Sequence, residues 1–145
     1  MAAMTRPFAF LMLTAALSGS ACGNKDTATT PTTTTPTTTT EVWAGTLTAR
    51  GSGFFSFAVF SAGTASITVG SLVDTGTGRP LETSVGLSLG IPRREECELS
   101  TTITASPGLV AQLSSAVNPG IYCAQISDIG NLRAAAAFGV RIVHP

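Results

Sequence analysis

The chain has 145 residues, with eight Lys+Arg balanced by eight Asp+Glu, 43% hydrophobic and 11% charged residues. That length holds one domain and some further sequence. Phosphate binding draws on concentrated Lys and Arg, so the balanced charge without a basic cluster excludes nucleic acid as an expected partner. One His and three Cys leave little material for a multi-ligand metal site. Neither a metal nor a cofactor is expected.

The first 21 residues read as an export signal. Residues 1–7 carry a single charged side chain, Arg6, and residues 8–17 (FAFLMLTAAL) are an uncharged apolar run. Ser18, Gly19, Ser20 and Ala21 then supply the small residues of a cleavage zone. A membrane-spanning helix needs about 20 apolar residues, more than this run offers.

Gly19-Ser20-Ala21-Cys22 resembles the lipobox of bacterial lipoproteins, in which cleavage precedes a cysteine that carries a diacylglycerol thioether. Gly19 stands where that family usually has Leu, and the nearest leucine is Leu17. The resemblance implies that Cys22 is acylated and that membrane lipid is a partner. Gly23, in place of an Asp after the cysteine, implies the outer membrane in a cell with two membranes. Ordinary cleavage after Ala21 is the alternative and would leave a free thiol. Setting Cys22 aside leaves Cys97 and Cys123, an even pair 26 residues apart and the expected disulfide of an exported chain.

Residues 22–40 form the expected tether. Residues 27–40 hold eleven Thr, two Pro and one Ala, with no large apolar side chain. Such a segment cannot bury enough surface to offset its chain entropy. It suits a spacer between a membrane and a domain, and a Thr/Pro-rich tract is also compatible with O-glycosylation.

Residues 41–145 form the expected domain, and its hydrophobic pattern has period two. A first strand is expected over residues 42–49. Phe55, Phe57 and Val59 then share one parity, as do Ala65, Ile67 and Val69, and Val85, Leu87 and Leu89. Leu99, Thr101 and Ile103 repeat the pattern more weakly, a short strand is expected over 109–114, and Tyr122, Ala124 and Ile126 follow. Phe138, Val140 and Ile142 close the chain. Period-two alternation marks strands with one buried face. The intervening Gly, Pro, Asn and Asp clusters are turn chemistry. About eight short strands predict an all-β fold, an antiparallel β-sandwich or jelly roll. Residues 133–138 (RAAAAF) are the one stretch with some helical character, though too short for a stable helix.

The order FxFxV, AGTASITVGSL, VGLSLG and NPGIYCAQI, ending in an apolar strand, resembles the bacterial pre-peptidase C-terminal domain family. The likeness covers most of residues 54–143, with Pro119-Gly120-Ile121-Tyr122 as its most specific element. It implies a small secreted β-sandwich. The 145 residues hold no peptidase domain beside it, so a protease-accessory role does not carry over. The family's Asp-rich strand corresponds to residues 83–89, which contain no Asp. A calcium role therefore does not carry over either.

Several residues invite chemistry. Gly86-Leu87-Ser88-Leu89-Gly90 fits the G-x-S-x-G nucleophile pattern, and Ser88, Asp128 and His144 follow the hydrolase chain order. Yet Val85, Leu87 and Leu89 run through the motif as a strand, and Pro92 follows where a helix is required. Ser88 is expected on a solvent-facing side of that strand, and His144 near a loose end. Asp74 and Asp128 lack the multi-carboxylate spacing of a calcium site and are expected to form turns. Trp43 and Tyr122 are too few for a sugar-stacking platform. Arg93, Arg94 and Glu96 lie in the one dense charge cluster, a solvated loop that can contact a partner. Phe54 and Phe60 have the parity opposite to Phe55 and Phe57; burial is the favoured reading, and an apolar contact patch is the alternative. The functional expectation is a membrane-anchored, non-enzymatic envelope module with a protein partner. The alternatives are a small serine hydrolase using Ser88, or a carbohydrate- or calcium-binding module.

Overall fold

The structure, a computed structural model, describes residues 37–145. The export signal, the lipobox with Cys22 and most of the Thr-rich tract lie outside the described residues. Eight strands follow one another: β1 (Thr39–Leu47), β2 (Ser52–Val59), β3 (Gly63–Asp74), β4 (Val85–Arg93), β5 (Glu96–Ala105), β6 (Leu113–Val117), β7 (Gly120–Ser127) and β8 (Ala136–His144). They form two four-stranded sheets with orders β1-β8-β3-β6 and β2-β7-β4-β5.

The pairing is nested. β1 pairs with β8, β2 with β7, β3 with β6 and β4 with β5, all antiparallel. The chain thus folds as one long hairpin of paired strands that wraps into two layers, and the β3–β8 and β4–β7 ladders lock each layer. That is the jelly-roll form of the sandwich.

The inner faces follow the alternation read from the sequence. Ile67, Val69, Val85, Leu87, Ile126, Val140 and Ile142 are at most 1% exposed, which places them between the sheets. Trp43 packs edge-on against Phe138 with ring centres 4.7 Å apart, and stacks beside Phe55. A bulge between Val69 and Ser71 shifts the parity of β3 by one residue, so Leu72 returns to the core.

Local structure departs from the sequence expectation at several places. β1 begins at Thr39 and ends at Leu47, because Thr39 and Thr40 pair with His144 and Val143. The first strand therefore starts three residues before the expected 42–49 and ends two residues before it does. The short sixth strand is Leu113–Val117 and not 109–114. Before it, Gln112 takes over the ladder: its side-chain oxygen accepts from the Val69 N–H at 2.7 Å, and its amide nitrogen donates to the Ser106 carbonyl. The alanine run ends in strand, with Ala136 paired to Leu47 and Asp74. Leu99 is 43% exposed instead of joining the buried face, because a bulge between Leu89 and Gly90 breaks the parity of that hairpin.

Leu87 is fully buried at the centre of this packing. Leu87→Ala should cost about 2–5 kcal/mol through lost transfer energy and the cavity left behind. Urea denaturation should show a lower midpoint with an unchanged slope.

Candidate functional site

The β4–β7 ladder ends at Gly90↔Cys123. Beyond it, β4 and β5 continue as a two-stranded ribbon paired from Ile91↔Glu98 to Arg93↔Glu96. Arg94 turns the tip in the left-handed region, at φ 55°. Strands two places apart in a sheet are separated by about 9.5 Å, whereas the Cα atoms of Cys97 in β5 and Cys123 in β7 are 5.9 Å apart and disulfide-bonded. The ribbon therefore curls over the outer face of the second sheet. Gly90 permits the bend, since a Cβ there would collide with the Glu98 carbonyl.

The ladder register assigns the outer face its residues. Phe54 pairs with Gln125 and Ser56 with Cys123, so Phe54, Gln125 and Cys123 share that face. The curled ribbon lies over it and leaves an open groove of about 530 Å³ lined by Ser52, Gly53, Phe54, Gln125, Glu95, Glu96 and Cys97. A second concavity is formed by Pro92, Arg93, Arg94, Glu95 and Glu96. The Arg93 guanidinium donates to Glu98 at 2.7 Å, with both side chains about two-thirds exposed. Such a pair contributes at most about 1 kcal/mol.

Of the predicted contact residues, the fold brings Phe54 and Glu96 into one groove and places Arg93 and Arg94 beside it. Phe54 is half-buried, whereas Phe60 is 83% exposed, against the expected burial of both. Phe60 stands six residues beyond Phe54, roughly 20 Å along an extended chain, and does not share the groove. Gln125, Ser52 and Gly53 were not predicted. The signal for Gln125 was available, since any residue two places from Cys123 shares its face.

The hydrolase constellation does not assemble. Ser88 is 1% exposed, contrary to the solvent-facing expectation, and its hydroxyl shares a 2.9 Å hydrogen bond with Thr102. Gly86 and Gly90 flank it on the same face, where a Cβ would collide with Ser127 and with the Glu98 carbonyl respectively. His144 is not at a loose end: it lies in β8, 1% exposed, with Nε2 3.2 Å from Glu41 and its ring centre 5.0 Å from that of Phe57. The Asp128 carboxylate accepts from the backbone N–H groups of Arg50, Gly130, Asn131 and Leu132. Each member of the triad is thus engaged by a different set of partners.

The two loop aspartates organise turns, as expected. Asp74 accepts from the Gly76 and Thr77 N–H groups and the Thr77 hydroxyl. Donors surround both carboxylates, the reverse of what a cation requires. These bonds hold both carboxyls below the usual range: the Arg50 N–H acts most strongly on Asp128, and the Thr77 N–H on Asp74. Among the described residues no cluster of three or more His, Cys, Asp or Glu has metal-binding geometry. Tyr122 stacks beside Phe57, and its hydroxyl accepts from the Asn118 N–H, so neither it nor Trp43 forms an open aromatic platform.

No protein-family model matches the chain, and no curated protein matches it.

Two predictions follow from the geometry of the outer face and its turns. Cys123→Ala should remove about 3.5 kcal/mol on the chain-entropy account of a loop this long. In a domain of this size the melting temperature should fall by on the order of 10 °C, and mass spectrometry of the unreduced wild type should recover the two cysteine peptides linked. Asp74 and Asp128, with depressed folded-state pKa values, stabilise the domain above the ordinary carboxylate pKa of 3.8. That contribution is lost as pH falls through their lower folded values. Thermal melts should therefore be flat above about pH 5 and fall steeply below about pH 4, and Asp128→Asn should melt lower at neutral pH with a shallower acid decline.

Proposed function

We propose that the chain is a lipid-anchored, non-enzymatic module of the cell envelope that engages a protein partner through the stapled β4–β5 ribbon. In a cell with two membranes its place is the outer membrane. The observation that carries this reading is what the disulfide holds. It ties Arg93-Arg94-Glu95-Glu96-Cys97-Glu98, five charged residues in six, onto an outer face where they fill no part of the core. A ribbon held in one geometry loses less freedom on binding, so pre-organisation favours a contact role. The groove beneath it is lined by Phe54 together with the polar Ser52, Gln125, Glu95 and Glu96, a mixed surface that can both pack against a partner and hydrogen-bond to it.

Two further observations support the reading. A disulfide accords with an exported chain, and with Cys97 and Cys123 paired, Cys22 is the one cysteine left for acylation. The buried, hydrogen-bonded Ser88 hydroxyl has neither the access nor the adjacent base of an activated nucleophile.

Fatty-acid analogue labelling in cells should mark the wild type and not Cys22→Ser. A photo-crosslinking residue replacing Glu96 should capture a discrete envelope protein, and the same residue replacing Arg133 should not. Arg93→Glu with Arg94→Glu should reduce that capture at least several-fold while the melting temperature stays within a few degrees, as is usual for exposed sites. Labelling of a fluorophosphonate probe that vanishes in Ser88→Ala would replace this reading with the hydrolase.

A further inference from the structure

The turns at the two ends of the sandwich differ in their content of charged side chains. At one end β1 starts at Thr39 opposite His144, β2 ends at Val59 opposite Gly120, and β3 starts at Gly63 opposite Val117. The turns there, residues 60–62 and 118–119, read Phe-Ser-Ala and Asn-Pro and carry no charged side chain. Glu41, near the start of β1, is engaged by the buried His144. The loops of the opposite end carry Arg50, Asp74, Arg79, Glu82, Asp128 and Arg133. The ribbon holds the other dense group of charges, on the outer face.

The end with the uncharged turns also exposes large apolar side chains. Phe60 is 83% exposed and Ile121 is 61% exposed. They are neighbours, because Phe60 lies two residues past Ala58, the ladder partner of Ile121. An exposed phenylalanine beside an exposed isoleucine is costly against water and favourable against the headgroup–acyl boundary of a bilayer.

Where the chain enters decides between occupants. Thr39 is the first strand residue and lies at this end, 17 residues after Cys22. An acyl chain on Cys22 thus leads to the Phe60 end over at most about 56 Å of extended chain. The nine residues of β1 put the charged end about 30 Å farther along. The other highly exposed apolar pair, Leu109 and Val110, lies beside Arg141, whose guanidinium reaches the Leu109 carbonyl. No chain leads from the anchor to that loop.

We infer that the end formed by the 60–62 and 118–119 turns rests on the lipid surface, with Phe60 and Ile121 in the interfacial layer. This inference rests on the lipid-anchored reading above. The two turns at the seated end carry no charged side chain, so the contact is apolar and insensitive to salt, and it does not require anionic lipid. Seating that end leaves the groove and ribbon on the side of the domain, open to a partner in the space above the membrane.

The test uses the full acylated protein in phosphatidylcholine vesicles with brominated acyl chains. Phe60→Trp should add tryptophan emission that is blue-shifted and quenched by the bromines, whereas Arg133→Trp at the far end should be quenched no more than the wild type. Both positions are exposed, so both variants should fold, and circular dichroism checks this. Equal quenching of Phe60→Trp and Arg133→Trp in protein that floats with the vesicles overturns the seating and leaves the anchor standing. Wild-type protein that fails to float overturns the anchor, and the seating with it. A blue shift of Phe60→Trp without lipid, with a dimer in sedimentation, assigns this end to a second copy and also overturns the seating.

Discussion

The fold depends on β8 finding two partners far away in sequence. It is hydrogen-bonded to β1 on one side and β3 on the other, while its inner face carries Phe138, Val140 and Ile142 into the centre of the core. Without it β1 has no hydrogen-bonded partner in its sheet and β3 is left with β6 alone. A jelly roll made this way forms few local contacts first, so loop-closure entropy must be offset before the long-range ladders contribute. The same pairing sets Thr39 beside His144, which closes the chain on itself at one end of the sandwich. At that end the buried imidazole finds its partner in Glu41, and across the described residues no buried side-chain polar atom lacks a hydrogen bond. A buried polar group left unsatisfied would cost about 1–3 kcal/mol, so these pairings matter as much as the apolar packing.

The second constraint is local. At Gly90 the backbone comes close enough to the Glu98 carbonyl that only a residue without a side chain fits. The bulge there turns the β4–β5 ribbon out of its sheet, and the disulfide holds it over the outer face. Sheet curvature commonly uses such a bulge with a glycine. Here it converts a highly charged segment, which has no place in a core, into one wall of a groove that Phe54 also lines. The staple and the bend are complementary: the bend brings the sulfurs together, and the bond keeps the ribbon from reopening.

The turn aspartates work at the opposite end. Asp128 joins the turn after β1 to the loop before β8, accepting from Arg50 on one oxygen and from three consecutive N–H groups on the other. Arg50 itself adopts a left-handed backbone, at φ 59°, and the Asp128 carboxylate holds its N–H. Charge at this end is therefore used to organise loops, whereas the turns at the other end leave Phe60 and Ile121 in the open. The groove and the apolar pair are compatible uses of one small scaffold, because the groove uses the Phe54 end of the outer face and Phe60 and Ile121 use the other end.

The sequence by itself determined the fold class, the buried parity of most strands, the pairing of the two cysteines and the turn role of the aspartates. Period-two alternation and Gly/Pro/Asp turns are local signals, and local signals survive without knowledge of partners. What it misplaced were properties set by neighbours. Ser88 alternates with Val85, Leu87 and Leu89 and so reads as solvent-facing, yet the second face of β4 is buried as well, and there the Ser88 hydroxyl meets Thr102 of β5. His144 reads as a frayed end, but β1 pairs with it from more than a hundred residues away. Phe54 and Phe60 share a parity, and only the course of the ribbon leaves one half-covered and the other exposed. The strand order, the bend at Gly90 and the meeting of Phe54 with Glu96 were decided by tertiary structure alone. Each depends on which strand lies beside which, and a period of two is the same whatever the neighbour.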